Sequence, residues 1–120
     1  MPTQFGGLEP RSISWIKAAR KDFGDFPIAA KDAVWDSLDV VAKGGRPDSA
    51  KPLTGLGSGV WELAVRLHGE AWRVVYVLWI GDEIWVIHAF QKKSKRGIAT
   101  PRQEIHLVRT RLKRLKATLT

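Results

Sequence analysis

The sequence predicts an α+β fold: two N-terminal helices packed on a small antiparallel sheet of three to four strands, followed by a C-terminal helix. Three observations predict it. Apolar residues recur at helical spacing in the first half. The period then changes over residues 60–90 to runs rich in Val, Trp and Tyr, broken by short turns. Helical spacing returns after residue 100. The 120 residues fit one domain, 1–120. At that size folding buries roughly two-thirds of the unfolded chain's surface, enough for a core without metals or disulfides.

Each element has its own signal. Ser12 is placed to cap a first helix carrying Ile13, Ile16, Ala19 and Phe23 on one side, and Gly24 closes it. Pro27 suits the first position of a second helix. Its stripe is Ala30, Val34, Leu38 and Val41, and Gly44, Gly45 and Pro47 stop it. Strands are expected at 60–67, 71–80 and 83–90. His68-Gly69-Glu70 and Gly81-Asp82 are the turns between them, short enough to make the strands antiparallel neighbours. Residues 51–56 are available for a short edge strand. Thr100, Pro101 and Gln103 read as the capped start of a last helix. Its stripe is Ile105, Val108, Leu112, Leu115 and Leu119. The helices are expected on one face of the sheet, leaving the other open.

Charge narrows the function. Lys and Arg number 20 against 12 acids, a formal net charge of +8 with pI near 10.2. From Gln91 onward there are ten Lys or Arg and one acid, Glu104. Such a balance favours nucleic acid, an anionic surface or an acidic protein as partner. Cysteine is absent, which excludes thiol nucleophiles and thiolate zinc sites. No signal peptide is visible at the N-terminus, and the longest apolar run, Val74 to Ile80, is too short to span a bilayer. Neither a Walker-type phosphate loop nor a Gly-x-Ser-x-Gly elbow occurs; "GLGSGV" (55–60) reads as a bend before a strand. His68, His88 and His106 are scattered, and no metal or cofactor is expected.

Alternation in "WRVVYVLW" puts Arg73, Val75, Val77 and Trp79 on one face and Trp72, Val74, Tyr76 and Leu78 on the other. Arg73 therefore sits in an apolar strand. It can snorkel at the strand end, or pair with Glu62 across the sheet; Glu62 can equally pair with Arg66 on its own strand face. His88, also in an apolar strand, is most simply a hydrogen-bonded structural residue. Lys92, Lys93, Lys95 and Arg96 leave the third strand as a charge run, which is ordinarily a solvated loop. Its position beside the Arg73 strand makes it a phosphate grip as well.

"KPLTGLGSGVWEL" (51–63), "WRVVYVL" (72–78) and "HAFQKKSKRGIATPRQEI" (88–105), in this order and spacing, resemble the phage-derived Gp49-like, HigB-type proteins. These are toxins of type II toxin–antitoxin systems in the RelE/ParE superfamily. The resemblance covers most of the chain. It implies a RelE-like fold and a cytoplasmic mRNA endoribonuclease that inhibits translation at the ribosome without a metal. It implies a helix-turn-helix antitoxin as partner, with mRNA and rRNA as the other contacts. Carried over by residue, Arg73 and Lys92, or Lys93 if a bulge shifts the register, support the transition state, with Arg66 as a further cation. No tyrosine follows Lys93, so His88 is the proposed base. Lys95, Arg96, Arg102 and Arg109 are expected on RNA phosphates. Within the superfamily the alternative target is DNA gyrase, as for ParE-like members. Outside it, the alternative is a non-catalytic basic nucleic-acid-binding protein. On the enzyme reading, Arg73→Ala is expected to abolish toxicity and leave the protein folded.

Overall fold

The computed structural model describes residues 10–78, 83–93 and 99–119. Five strands and three helices follow one another: β1 (Ser12–Trp15), α1 (Lys17–Gly24), α2 (Ile28–Ala42), β2 (Ala50–Pro52), β3 (Val60–Leu67), β4 (Glu70–Leu78), β5 (Glu83–Lys92) and α3 (Arg102–Leu119). They build one sheet in the order β1-β5-β4-β3-β2. β2 through β5 pair antiparallel, and β1 lies parallel to β5. Among the described residues no helix is long and apolar enough to cross a membrane.

The first element departs from the sequence reading. Ser12–Trp15 is an edge strand, and helix begins only at Lys17. The alternation Ser-Ile-Ser-Trp is a period of two, and Ile13 and Trp15 pack against the core formed with α1 and α2. Pairing with β5 also occupies backbone groups that an open sheet edge would leave unpaired. Ser12 is therefore no helix cap. Pro27 stands one position earlier than expected, as the N-cap of α2, where its carbonyl accepts the Lys31 N–H at 2.9 Å. The possible edge strand at 51–56 is β2, shorter and starting at Ala50.

The β3–β4 hairpin closes through His68 and Gly69, at φ 52° and 79°. Two consecutive positive φ values are what a tight two-residue hairpin turn demands, and they explain a glycine at the second position. The expected Gly81-Asp82 turn lies outside the described residues, as does Trp79.

Helices cover both faces of the sheet, so the expectation of one open face is corrected. Leu63, Val65, Trp72, Val74, Tyr76, Ile84, Val86 and Ala89 face α1 and α2. Val60, Val75, Val77, Ile87 and Phe90 face Val108, Leu112 and Leu115 of α3. The apolar residues on both sides of β4 required this: a strand apolar on each face must be covered on each.

One irregularity decides which β5 residues meet which layer. Val75 pairs with His88 but Tyr76 pairs with Val86, so Ile87 is an extra residue in β5. Strict alternation from Ile84 and Val86 would send 88, 90 and 92 to the α1–α2 side. The bulge inverts that parity. His88, Phe90 and Lys92 consequently share the α3 side with Arg73.

Leu38 is fully buried in α2 between the helices and the sheet. Leu38→Ala is expected to lower unfolding free energy by about 2–5 kcal/mol, the usual cost of a cavity of that kind. A urea titration followed by circular dichroism reads it as a lower midpoint at unchanged slope.

Candidate functional site

The polar side chains of the α3-facing surface lie in rows across the sheet. Arg66, Ala71 and Lys92 form the row at the end of the β3–β4–β5 meander. The next row is Ala64, Arg73 and Phe90, and the third is Lys51, Glu62, Val75 and His88. Arg73 and Lys92 are thus diagonal neighbours on adjacent strands, within mutual reach of long side chains. Small Ala71 separates Arg66 from Lys92.

Arg73 does not snorkel. It is 2% exposed, and its Nη1 donates to Glu62 Oε1 at 3.0 Å. Glu62 is completely buried, and its other oxygen accepts the Thr100 hydroxyl at 2.8 Å. Thr100, expected as a helix cap, thus gives its hydroxyl hydrogen to the sheet. Lys92 is 6% exposed and stands in the field of Arg73, Glu62, Lys51 and Arg66. Desolvation first, and then the Arg73 guanidinium, push its pKa below the ordinary lysine value. Lys93, the next residue, is exposed and outside this cluster, so the bulge selects Lys92. Arg66 is exposed at the rim.

His88 belongs to a second network. Its Nε2 lies 2.6 Å from Glu104 Oε1, and its Nδ1 lies 2.7 Å from Arg111 Nη1. Arginine can only donate, so Nδ1 must accept. The ring is then the neutral tautomer with its proton on Nε2, donating to Glu104. Arg111 also donates to the Ile87 carbonyl at 3.1 Å and stands 3.6 Å from Asp22 of α1. The ring stacks on Phe90 at 5.2 Å. Burial, chiefly, lowers the His88 pKa, with the Arg111 charge adding to it and Glu104 opposing it.

This placement corrects the choice of His88 as base. Its one free lone pair is already taken by Arg111, so no ring nitrogen is left to accept a proton. The simpler reading, a hydrogen-bonded structural histidine, describes it. Among the cations expected on RNA, Arg102 and Arg109 are exposed on α3. Lys95 and Arg96 lie outside the described residues. Among the described residues no group of three His, Cys, Asp or Glu side chains is arranged to hold a metal.

Sequence reasoning passed over four members of these networks: Glu62 as more than an ion-pair partner, Thr100 as its second donor, and Glu104 and Arg111. The last two carried a signal. Glu104, Val108, Arg111 and Leu115 recur at spacings of four, three and four, which puts two charged residues on the inward side of α3.

Fold and site together define a small α+β protein with a polar cluster buried between a five-stranded sheet and its last helix. The pattern of the phage derived protein Gp49-like family (DUF891) matches residues 21–113, and the chain belongs to that family. It has the fold of RelE. The E. coli toxin RelE, as a double mutant in the free state, superposes with a TM-score of 0.64 at 16% identity, over 89% of this chain and 99% of that one. The isolated E. coli RelE toxin gives 0.57 at 17%, over 88% and 98%. The RelBE2 toxin–antitoxin complex from Mycobacterium tuberculosis gives 0.52 at 16%, over 70% and 100%. No curated protein matches the chain.

Two outcomes follow from the buried networks. Arg73→Ala strands the Glu62 carboxylate without its counter-charge, so it is expected to cost about 3–5 kcal/mol of stability. Exchanging both residues for methionine should restore most of the loss, read as the interaction term of a double-mutant cycle in urea. The second outcome concerns pH. The folded state keeps His88 neutral below the pH at which the unfolded chain protonates it, near 6.5. The unfolded state then binds more protons, so stability is complete above about pH 6.5 and falls as pH drops below it. The urea midpoint should decline from pH 7.5 to 5.5, and His88→Gln should flatten that slope.

Proposed function

We propose that the protein is the toxin of a type II toxin–antitoxin system and acts as an endoribonuclease on mRNA at the ribosome. One observation carries the reading: β4 and β5 bring Arg73 and Lys92 to the same end of one sheet face, with Arg66 at the rim. Two guanidinium groups flanking a lysine amine suit a phosphodiester. Membership of the Gp49-like family and a fold shared with RelE toxins support it. The RelBE2 complex supports an antitoxin as partner. In this reading that antitoxin is a helix-turn-helix protein, and the site of action is the cytoplasm.

The reaction is attack of the ribose 2′-oxygen on the adjacent phosphorus without a metal. A base takes the 2′-hydroxyl proton, the new P–O bond forms, and the bond to the 5′-oxygen breaks. The 5′-oxygen leaves and takes a proton from water, giving a 2′,3′-cyclic phosphate and a 5′-hydroxyl. Arg73 neutralises charge growing on the non-bridging oxygens. Lys92, whose pKa is pushed down, accepts the 2′-hydroxyl proton in its amine form. Exposed Lys93, Arg102 and Arg109, together with Lys95 and Arg96, hold flanking phosphates through salt-dependent contacts.

Primer extension on transcripts after brief induction tests this. Discrete breaks within translated reading frames are expected, with 5′-hydroxyl ends downstream. Arg73→Lys should reduce cleavage roughly a hundredfold, since it removes the planar donor set. The cleavage rate should rise with pH and level off below the ordinary lysine value, near 10.4. Intact transcripts with DNA damage would transfer the reading to gyrase. RNA binding without any breaks would leave a non-catalytic binding protein.

A further inference from the structure

We propose that Glu62 is the positioning residue for Arg73, and that the Arg73 Nε–H is the donor that receives a phosphate oxygen. The assignment rests on the ribonuclease reading for its substrate. The Glu62 contact uses only Nη1 of the guanidinium. Nε is buried and has no hydrogen-bond partner, alone in this respect among the buried side-chain nitrogens and oxygens of the described residues. Folding rarely buries an N–H without an acceptor, and a missing ligand is one of the few reasons for doing so.

Chemistry defines that ligand. It must accept a hydrogen bond, and it must be an anion. Among the described residues, Glu62 is the one carboxylate acting on Lys92, against Arg73, Lys51 and Arg66, so the cluster is short of negative charge. A phosphodiester oxygen meets both demands. Glu62 is built to hold the guanidinium still while this happens. It is fully buried, it lies in the middle strand row, and Thr100 fixes its second oxygen. With Nη1 held, the swing of the guanidinium plane is restricted, so the direction of Nε–H is biased before an anion arrives. Lys92 stands diagonal to Arg73 on the next strand, beside the place that oxyanion would take. An ammonium at position 73 could not face the carboxylate and the phosphate in two fixed directions at once.

The test reads Nε–H directly. Nitrogen-15-labelled protein is titrated with inorganic phosphate, and separately with a 2′-O-methyl oligoribonucleotide that cannot be cleaved. The Arg73 Nε–H signal is identified by its loss in Arg73→Lys. The expected result is a downfield shift and slower solvent exchange of that signal with each probe. In Glu62→Gln the response should shrink or vanish, while kcat for RNA falls roughly 10- to 100-fold. KM should move by less than about threefold, because the lost alignment acts on the transition state. Thr100→Val leaves the Arg73–Glu62 contact and should give an intermediate fall, and it decides the matter if Glu62→Gln does not fold. An Nε–H signal that stays still while other resonances shift overturns the proposal. So does a Glu62→Gln enzyme with unchanged kcat, or one whose activity only follows its folded fraction. A wild-type protein that shifts Nε–H with the probes but never cuts RNA would refute the ribonuclease reading and leave the phosphate site standing.

Discussion

The extra residue at Ile87 is the constraint on which the polar α3-side face depends. A strand shows alternate residues to alternate sides, so β5 without the bulge would turn His88, Phe90 and Lys92 toward α1 and α2. That layer is packed with the apolar side chains of Phe23, Phe26, Val34 and Leu38, a costly setting for a cation. With the bulge, Ile87 still fills the α3-side core while His88 reaches Glu104 and Lys92 comes beside Arg73. The bulge is itself held. Arg111 donates to the Ile87 carbonyl and to the neighbouring His88 ring, tying the irregular backbone to α3.

Two polar networks share that face and do different work. The one around His88 closes on itself: each ring nitrogen has a partner, and Arg111 continues to Asp22 on the other layer. Fully satisfied networks of this type lock packing into one arrangement. It joins α3, β5 and α1, elements distant in sequence. The one around Glu62 is left incomplete, with one guanidinium donor unused and positive charge in excess. A buried ion pair is weak as a stabiliser, because desolvation offsets most of the attraction. Its presence at the end of the sheet, beside exposed Arg66, fits a binding role better than a structural one.

Parts of this site were legible in the chain. An arginine in an otherwise apolar strand stands out, and so does its possible partner Glu62 on the neighbouring strand. The position of Arg73 and the run beginning at Lys92 also carried the family resemblance. The error over His88 has a clear physical source. A histidine in an apolar strand can be either a base or a satisfied core group, and the difference lies in what occupies its lone pair. That occupant, Arg111, is 23 residues away. The misreading of Ser12–Trp15 has a similar source: helical and strand periods both fit four residues, and the open edge of β5 decided between them.

Taken alone, the sequence determined the α+β class, the β3–β4 hairpin with a turn at His68-Gly69-Glu70, of which Glu70 proves to belong to β4, the apolar stripe of α3 as far as Leu115, and the basic character of the C-terminal third. These depend on local period, turn chemistry and charge, which are properties of neighbouring residues. The tertiary structure decided the parallel edge strand, the coverage of the second sheet face, the choice of Lys92 over Lys93, and the tautomer of His88. Each turns on a pairing between distant segments, where one residue of register or one donor from another element reverses the outcome. No local pattern carries that information, because a one-residue bulge leaves composition and spacing unchanged while it inverts which side every following residue faces.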